Sequence, residues 1–298
     1  MTTTRLTPFV WLLLGALALI WGTSFLSNRA ALEGAGFLTV VSFRVTGGAL
    51  ALWLYVAARR LPLPPHRGYW GRFLVMGLLN NAIPFSLIVW GQQHIDSALA
   101  AILNASTALF GVLVAAAVFA DERLTLARGV GVGIGFAGVV LAIGPEALGG
   151  LTLTAAGQWA VVGAALSYGF AGAYARYAIK GLVPEVAAAG MLSGAMVWLI
   201  PAMLLIEGVP SFAYAAPVWA GIGWLAFGCS AVAYLIYYRI LALAGAGNLS
   251  LVTLLIPPVA IVAGWAVYGE RLGLRELAGF AVLATGLWLL NRARPKTA

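Results

Sequence analysis

Charge is what this chain has least of. Asp, Glu, Lys and Arg together supply 9% of its 298 residues, where a soluble domain carries roughly a quarter. Hydrophobic residues supply 62%. That balance excludes a water-soluble domain, a disordered chain and a coiled coil. The single cysteine, Cys229, leaves no intrachain disulfide to form, and two isolated histidines, His66 and His94, make no metal site. No cofactor is expected. Acid is scarcer than base, with 9 Asp and Glu against 17 Lys and Arg. All nine acids, Glu33, Asp96, Asp121, Glu122, Glu146, Glu185, Glu207, Glu270 and Glu276, fall at the ends of apolar runs or between them. The middle of the runs thus offers no carboxylate for a proton relay. The excess base sits in small groups rather than on one face, so it does not point to nucleic acid.

Long apolar stretches take the place of charge. They lie at about 9–28, 38–58, 69–93, 98–119, 126–144, 155–178, 185–206, 216–243, 247–268 and 273–292. Each is long enough for a helix to cross about 30 Å of hydrocarbon, where a helix satisfies its own backbone groups. The expectation is an all-α integral membrane protein of ten transmembrane helices embedded in a lipid bilayer. The first run outlasts the apolar core of a signal peptide and reads as a crossing helix. With the N-terminus cytoplasmic, Arg5, Arg59, Arg60, Arg67, Arg72, Arg123, Arg128, Arg176, Lys180, Arg239, Arg292, Arg294 and Lys296 fall inside, and only Arg29, Arg271 and Arg275 fall outside. This follows the positive-inside rule and places both termini in the cytoplasm. Arg44 alone sits within a run, one to two turns from its outer end, and an outward-snorkelling anchor is favoured over a substrate contact.

The chain also repeats itself. A shift of 148 residues lays Glu122-Arg123-Leu124 on Glu270-Arg271-Leu272, Gly131 on Gly279 and Gly138 on Gly286. Two units follow, 1–148 and 149–298, of five runs each. Five is odd, so the copies face opposite sides of the membrane, the usual skeleton of alternating-access carriers with a site at the midplane. The stretch Gly133-Ile134-Gly135-Phe136-Ala137-Gly138 matches a dinucleotide fingerprint only formally, since it lies inside an apolar helix. Gly131 and Gly135, four apart, fit a small-residue face for close helix packing instead.

The polar residues inside the runs are the site candidates. Asn80, Asn81 and Pro84 share the third run, with Asn81 and Phe85 on one helical face; the amides serve either as interhelical glue or as cavity lining. Trp21 and Phe25 align in the first run, Ser230 and Tyr234 in the eighth, Asn104 with Thr107 in the fourth, and Thr253 precedes Pro257-Pro258 in the ninth. Tyr168 lies in the sixth. Carbonyls freed by the proline pair suit a substrate ammonium, although a plain kink is as good a reading.

Asp121-Glu122-Arg123-Leu124-Thr125 and Gly269-Glu270-Arg271-Leu272, each before a glycine-bearing run, with Trp21-Gly22-Thr23-Ser24-Phe25 and Phe43-Arg44, resemble the drug/metabolite transporter superfamily. Within it the chain looks like the EamA-like metabolite exporters, and most like the YddG type of amino-acid exporter. The resemblance implies a ten-helix basket of two inverted repeats around a central cavity. It makes Trp21, Phe25, Asn81, Phe85, Asn104, Tyr168, Ser230, Tyr234 and Thr253 the substrate-binding candidates, and Glu122 and Glu270 helix caps. The expected activity is export of neutral, hydrophobic or aromatic amino acids across a bacterial inner membrane by alternating access, without obligatory proton coupling and without catalysis. Extrusion of lipophilic cations is the alternative.

Overall fold

The computed structural model describes residues 6–144 and 152–292, and among them the secondary structure is helical, with no strand. The helices are α1 (Pro8–Leu32), α2 (Phe37–Ala58), α3 (Gly68–Gly91), α4 (Ser97–Val118), α5 (Leu126–Ile143), α6 (Leu153–Ala178), α7 (Pro184–Ile206), α8 (Ala216–Gly245), α9 (Val252–Tyr268) and α10 (Leu274–Arg292). Seven of them, α1 to α5, α7 and α8, are long and apolar enough to cross a membrane. Helix α9 is apolar but has 17 residues, and α6 and α10 are diluted by residues such as Gln158, Arg275 and Glu276. Glu146, expected in a loop, lies outside the described residues.

Local chemistry sets the ends. Thr7, Thr125 and Thr152 turn their hydroxyls onto the amides of Val10, Arg128 and Ala155 and cap α1, α5 and α6. Gly269 takes the left-handed conformation (φ 65°) that closes α9, which a residue with a Cβ adopts poorly. At the matching place in the first half the chain leaves α4 through an extended Phe119, so Asp121 suffices where the second copy has glycine.

Three helices are less regular than their apolar runs suggest. Helix α3 widens into a π segment at Leu78–Ala82 and α8 does so at Trp224–Val232. Helix α4 breaks at Ala105 and Ser106. There Ser106 and Thr107 donate their hydroxyls to the carbonyls of Leu103 and Asn104, at 2.6 and 2.7 Å, a local competition that bends helices.

Glycine lets the helices touch. A Cβ on Gly279 would meet the backbone nitrogen of Ala142 at 2.6 Å, and one on Gly131 would meet the Gly286 carbonyl at 3.1 Å. Early α5 therefore faces late α10 and late α5 faces early α10, so the two run antiparallel with backbones almost in contact. The pair Gly131–Gly286 becomes Gly279–Gly138 when each member moves 148 positions along the chain, and Gly138 does lie against the Gly279 carbonyl. Similar close approaches bring Gly77 of α3 to Gly194 of α7 and Gly22 of α1 to Val259 of α9.

Among the described residues two large apolar cores result, with a small third one of Met76, Ala178 and Met191. One gathers Leu14 and Leu17 of α1 with Ile102 and Leu103 of α4, Val161 of α6, Ile256 of α9 and Leu283 of α10. The other gathers Val40, Val41 and Leu52 of α2 with Leu192 of α7 and Leu225 of α8. Ile20, Trp21 and Tyr168 pack against both cores, and the polar candidates collect along this seam.

Candidate functional site

The seam is assembled from two distorted helices. Pro84 has no N–H, so the turn before it cannot close its backbone ladder, and the widened turn at Leu78–Ala82 leaves the Leu79 carbonyl open. Ser167 of α6 fills that position, donating its hydroxyl at 2.7 Å. The same turn points both Asn80 and Asn81 at α8, and each donates its Nδ2 to the Tyr234 hydroxyl, at 3.2 and 3.1 Å. The glue reading is therefore satisfied for the amide nitrogens. It is not satisfied for the Asn81 Oδ1, which is buried without a partner on a residue with 0% exposure. An orphaned acceptor at such depth costs about 1–3 kcal/mol.

On α8 the widened turn does comparable work. Ser230, also fully buried, donates to the Leu225 carbonyl five residues back at 2.9 Å. The Cys229 carbonyl accepts the Trp21 indole N–H at 3.1 Å. The Trp21 ring lies 5.8 Å from that of Tyr237, while Tyr234 stacks on Tyr238 with ring centroids 6.4 Å apart. Mid-helix π turns are frequent at functional sites because they re-aim side chains, and here two of them supply most of the polar groups of the seam.

Arg44 corrects the anchoring expectation. Its place on α2, seven residues past Phe37, is about 10 Å below the helix start, and the side chain does not turn outward. It is buried at 6% exposure, its Nε reaches the Ser230 hydroxyl at 3.3 Å, and its guanidinium lies 3.7 Å from the centre of the Phe85 ring. No carboxylate pairs with it among the described residues. Tyr168 and Tyr234 lie within its electrostatic reach. The seam, expected to carry no charge, thus holds one arginine.

Trp21, Asn81, Phe85, Tyr168, Ser230 and Tyr234 accordingly gather in one neighbourhood around Arg44. Three candidates stand apart. Phe25 is buried, and its backbone carbonyl accepts from Gln92 and Ser97 in an outer network. Thr253 donates to the Ser250 carbonyl at 2.7 Å and lines a cavity of about 20 Å³ with Ala108, Val112 and Asn291, room for about one water. Asn104 sits at the break in α4 with its Oδ1 buried and unpartnered. Neither Arg44 nor Ser167 was singled out for the site by pattern; the signal for Ser167 was Pro84, whose missing N–H demands a donor from elsewhere.

The two acidic motifs behave differently. Glu270 is buried, accepts from the amides of Ser97 and Ala98 at 3.3 and 3.1 Å, and pairs with Arg29. It caps α4 and ties it to the ends of α1 and α9, as expected. Glu207 does the same for α2 through the amides of Leu38 and Thr39, both at 2.9 Å. Glu122 caps no helix; it pairs with Arg128 of α5 and Arg176 of α6. The Arg176 hydrogen bond holds its carboxyl below the ordinary range. Beside Glu270, burial and that like charge raise the Asp96 carboxyl, against the pull of Arg29. Above this latch opens a cavity of about 510 Å³ lined by Arg29, Gln92, His94, Asp96, Leu99 and Thr154.

A multi-pass helical bundle with a polar seam between two cores, and with acids spent on helix ends, defines a membrane transporter. The chain belongs to the EamA-like transporter family, which matches it over residues 9–144 and again over 155–292. It is 31% identical to a probable terminal-alkyne amino-acid exporter of Streptantibioticus cattleyicolor, covering 97% of this chain and 95% of that protein. It is 23% identical to the uncharacterized transporter YoaV of Bacillus subtilis, covering 92% and 94%. A crystal structure at 18% identity shares the fold with a TM-score of 0.67 over 95% of this chain and 97% of the other.

Proposed function

We infer that this transporter exports neutral, largely apolar or aromatic amino acids across the bacterial inner membrane by alternating access. The observation that carries the reading is the seam around Tyr234, where two amides, a hydroxyl, an arginine and several aromatic rings converge between two apolar cores. Aromatic and aliphatic walls suit an apolar side chain, and the polar groups suit a zwitterionic head. The printed name of the Streptantibioticus relative, an amino-acid exporter, supports the substrate class.

The alternating-access part rests on ten crossings in two inverted units, 1–148 and 149–298, with both termini cytoplasmic. The double family match and the α5–α10 contact, which maps onto itself under the 148-residue shift, support that arrangement. In this topology Glu270, Glu207 and the Gln92 network fasten the outer ends of α1, α2 and α4, while Glu122 fastens the inner ends of α5 and α6. Both sets are made in this structure, and rocking opens one of them at a time. Extrusion of lipophilic cations fits less well, because the fixed charge in the seam repels them. Reconstitution in liposomes tests the reading: preloaded phenylalanine or leucine should leave faster than from protein-free vesicles, and a rate equal to the protein-free leak would reject it.

A further inference from the structure

We propose that Arg44 is the receptor for a carboxylate on the transported solute, and that the carrier therefore selects for the acid group and is indifferent to the amine. This deepens the amino-acid reading and rests on its central site. A guanidinium stripped of water without a counter-charge is among the costliest groups a membrane protein can hold. Sequence placement offered Arg44 an exit along its own stem to the outer interface, yet the side chain turns inward to Ser230 and Phe85. One Nε bond and one ring face leave the two terminal nitrogens, the pair that grips a carboxylate side by side, without a hydrogen-bond partner among the described residues. The Phe85 ring satisfies part of the charge without neutralising it, so the positive charge remains for an incoming anion.

The neighbours fit the rest of such a solute. Trp21, Phe85 and Tyr168 offer apolar and aromatic surface, and the orphaned Asn81 Oδ1 accepts one N–H or O–H. Among the described residues no carboxylate pairs with a side chain of the seam, and Glu185 at the start of α7 acts on it through its field at Tyr238. Recognition is thus lopsided: a charge-assisted, two-pronged contact for the acid and at most a neutral hydrogen bond for the amine. Arg44 binds and orients substrate; it does no chemistry.

Thermal unfolding of the detergent-solubilised full chain tests this with 3-phenylpropionate, N-acetylphenylalanine, phenylalanine, phenylalaninamide and phenethylamine as probes, in a dilute buffer free of other carboxylates. The three carboxylates should raise the melting temperature and the two cations should not. Arg44→Gln should remove the shift and Arg44→Lys should keep part of it, with apparent affinity down about tenfold. The comparison of probes on the unaltered protein stands even if a variant fails to fold. Stabilisation by phenylpropionate but not by phenylalanine would uphold Arg44 as the carboxylate receptor but overturn the indifference to the amine, and would sink the amino-acid reading. Equal stabilisation by the amide and the acid, no shift from any carboxylate, or saturation of the effect by chloride alone would overturn the proposal.

Discussion

The hydroxyl of Ser167 on α6 lies 2.7 Å from the carbonyl of Leu79 on α3, filling a position that Pro84 leaves empty. The proline distorts one helix and a serine from another completes it, so the widened turn that aims Asn80 and Asn81 is held from outside. Ser167→Ala should leave the Leu79 carbonyl orphaned and lower stability by about 1 kcal/mol, the usual worth of a hydrogen bond between membrane helices. Transport should fall further than that loss of stability accounts for, because the amides lose their aim. Equilibrium unfolding in mixed micelles, paired with flux per folded molecule, separates the two; unchanged flux would make the bond structural only.

Tyr234 anchors both amides through one oxygen. Tyr234→Phe keeps the ring and its stack on Tyr238 and deletes only the acceptor, so insertion and yield should hold while transport drops about tenfold, the equivalent of one lost polar contact of about 1.4 kcal/mol. Asn81→Ala should have an effect of similar size. A Phe variant with full flux would remove this cluster from the transport path.

Much of the fold was legible because burial in lipid demands apolar runs of a fixed length, and these fall where the helices lie. The glycine contacts of α5 and α10 were legible for the same reason: small residues four apart leave a groove. The direction of Arg44 was not. A sequence places its Cα about two turns into α2, but whether the stem runs outward or inward depends on what α3 and α8 present, and the Phe85 ring and Ser230 hydroxyl meet it only after folding. The π turns were only half legible: Pro84 marks the distortion of α3, whereas the segment Trp224–Val232 of α8 contains no proline to announce it. Thr253 shows the opposite error. Its helical spacing was right, but α9 turns that stripe toward α10 and a pocket for a single water.

Gly138 and Gly133 separate packing from composition within one helix. A side chain on Gly138 would strike the backbone of α10 at Leu283, whereas one on Gly133 meets nothing within 4 Å. Gly138→Val should therefore destabilise the α5–α10 pair by several kcal/mol through forced separation, and Gly133→Ala should be neutral or slightly stabilising through helix propensity. Yield and melting temperature of the two variants check this.

Glu270 joins the end of α9 to the first turn of α4 and to Arg29. Glu270→Gln retains the shape but loses the charge that answers both the helix dipole and the arginine. The outer latch should weaken, and Leu99→Cys, placed in the adjacent cavity in a Cys229→Ala background, should react severalfold faster with a membrane-impermeant maleimide. Labelling at the original rate would show that Glu270 is a cap and not a latch.

The acids at the two ends respond to pH with opposite sign. Arg176 and Arg128 lower the Glu122 carboxyl below its reference of 4.5. The unfolded chain then binds the proton more readily, and the stability Glu122 contributes is present above about pH 4.5 and lost as pH falls through the lower folded value. Burial and Glu270 raise Asp96 above its reference of 3.8. Its favourable contribution is complete below that value and fades as pH climbs through the higher folded one. Asp96 is exposed and Glu122 partly so, and solvent screening keeps each effect small. Replacing Glu122 with Gln should flatten the acid limb of stability against pH, and replacing Asp96 with Asn should flatten the limb above it. Among the described residues no acid forms an ion pair with Arg44, so the seam lacks the arginine–carboxylate pair through which a proton could be exchanged for solute. Phenylalanine efflux from liposomes should accordingly run at the same rate with and without an imposed ΔpH at neutral pH, and a rate that collapses without the gradient would require a proton site elsewhere in the chain.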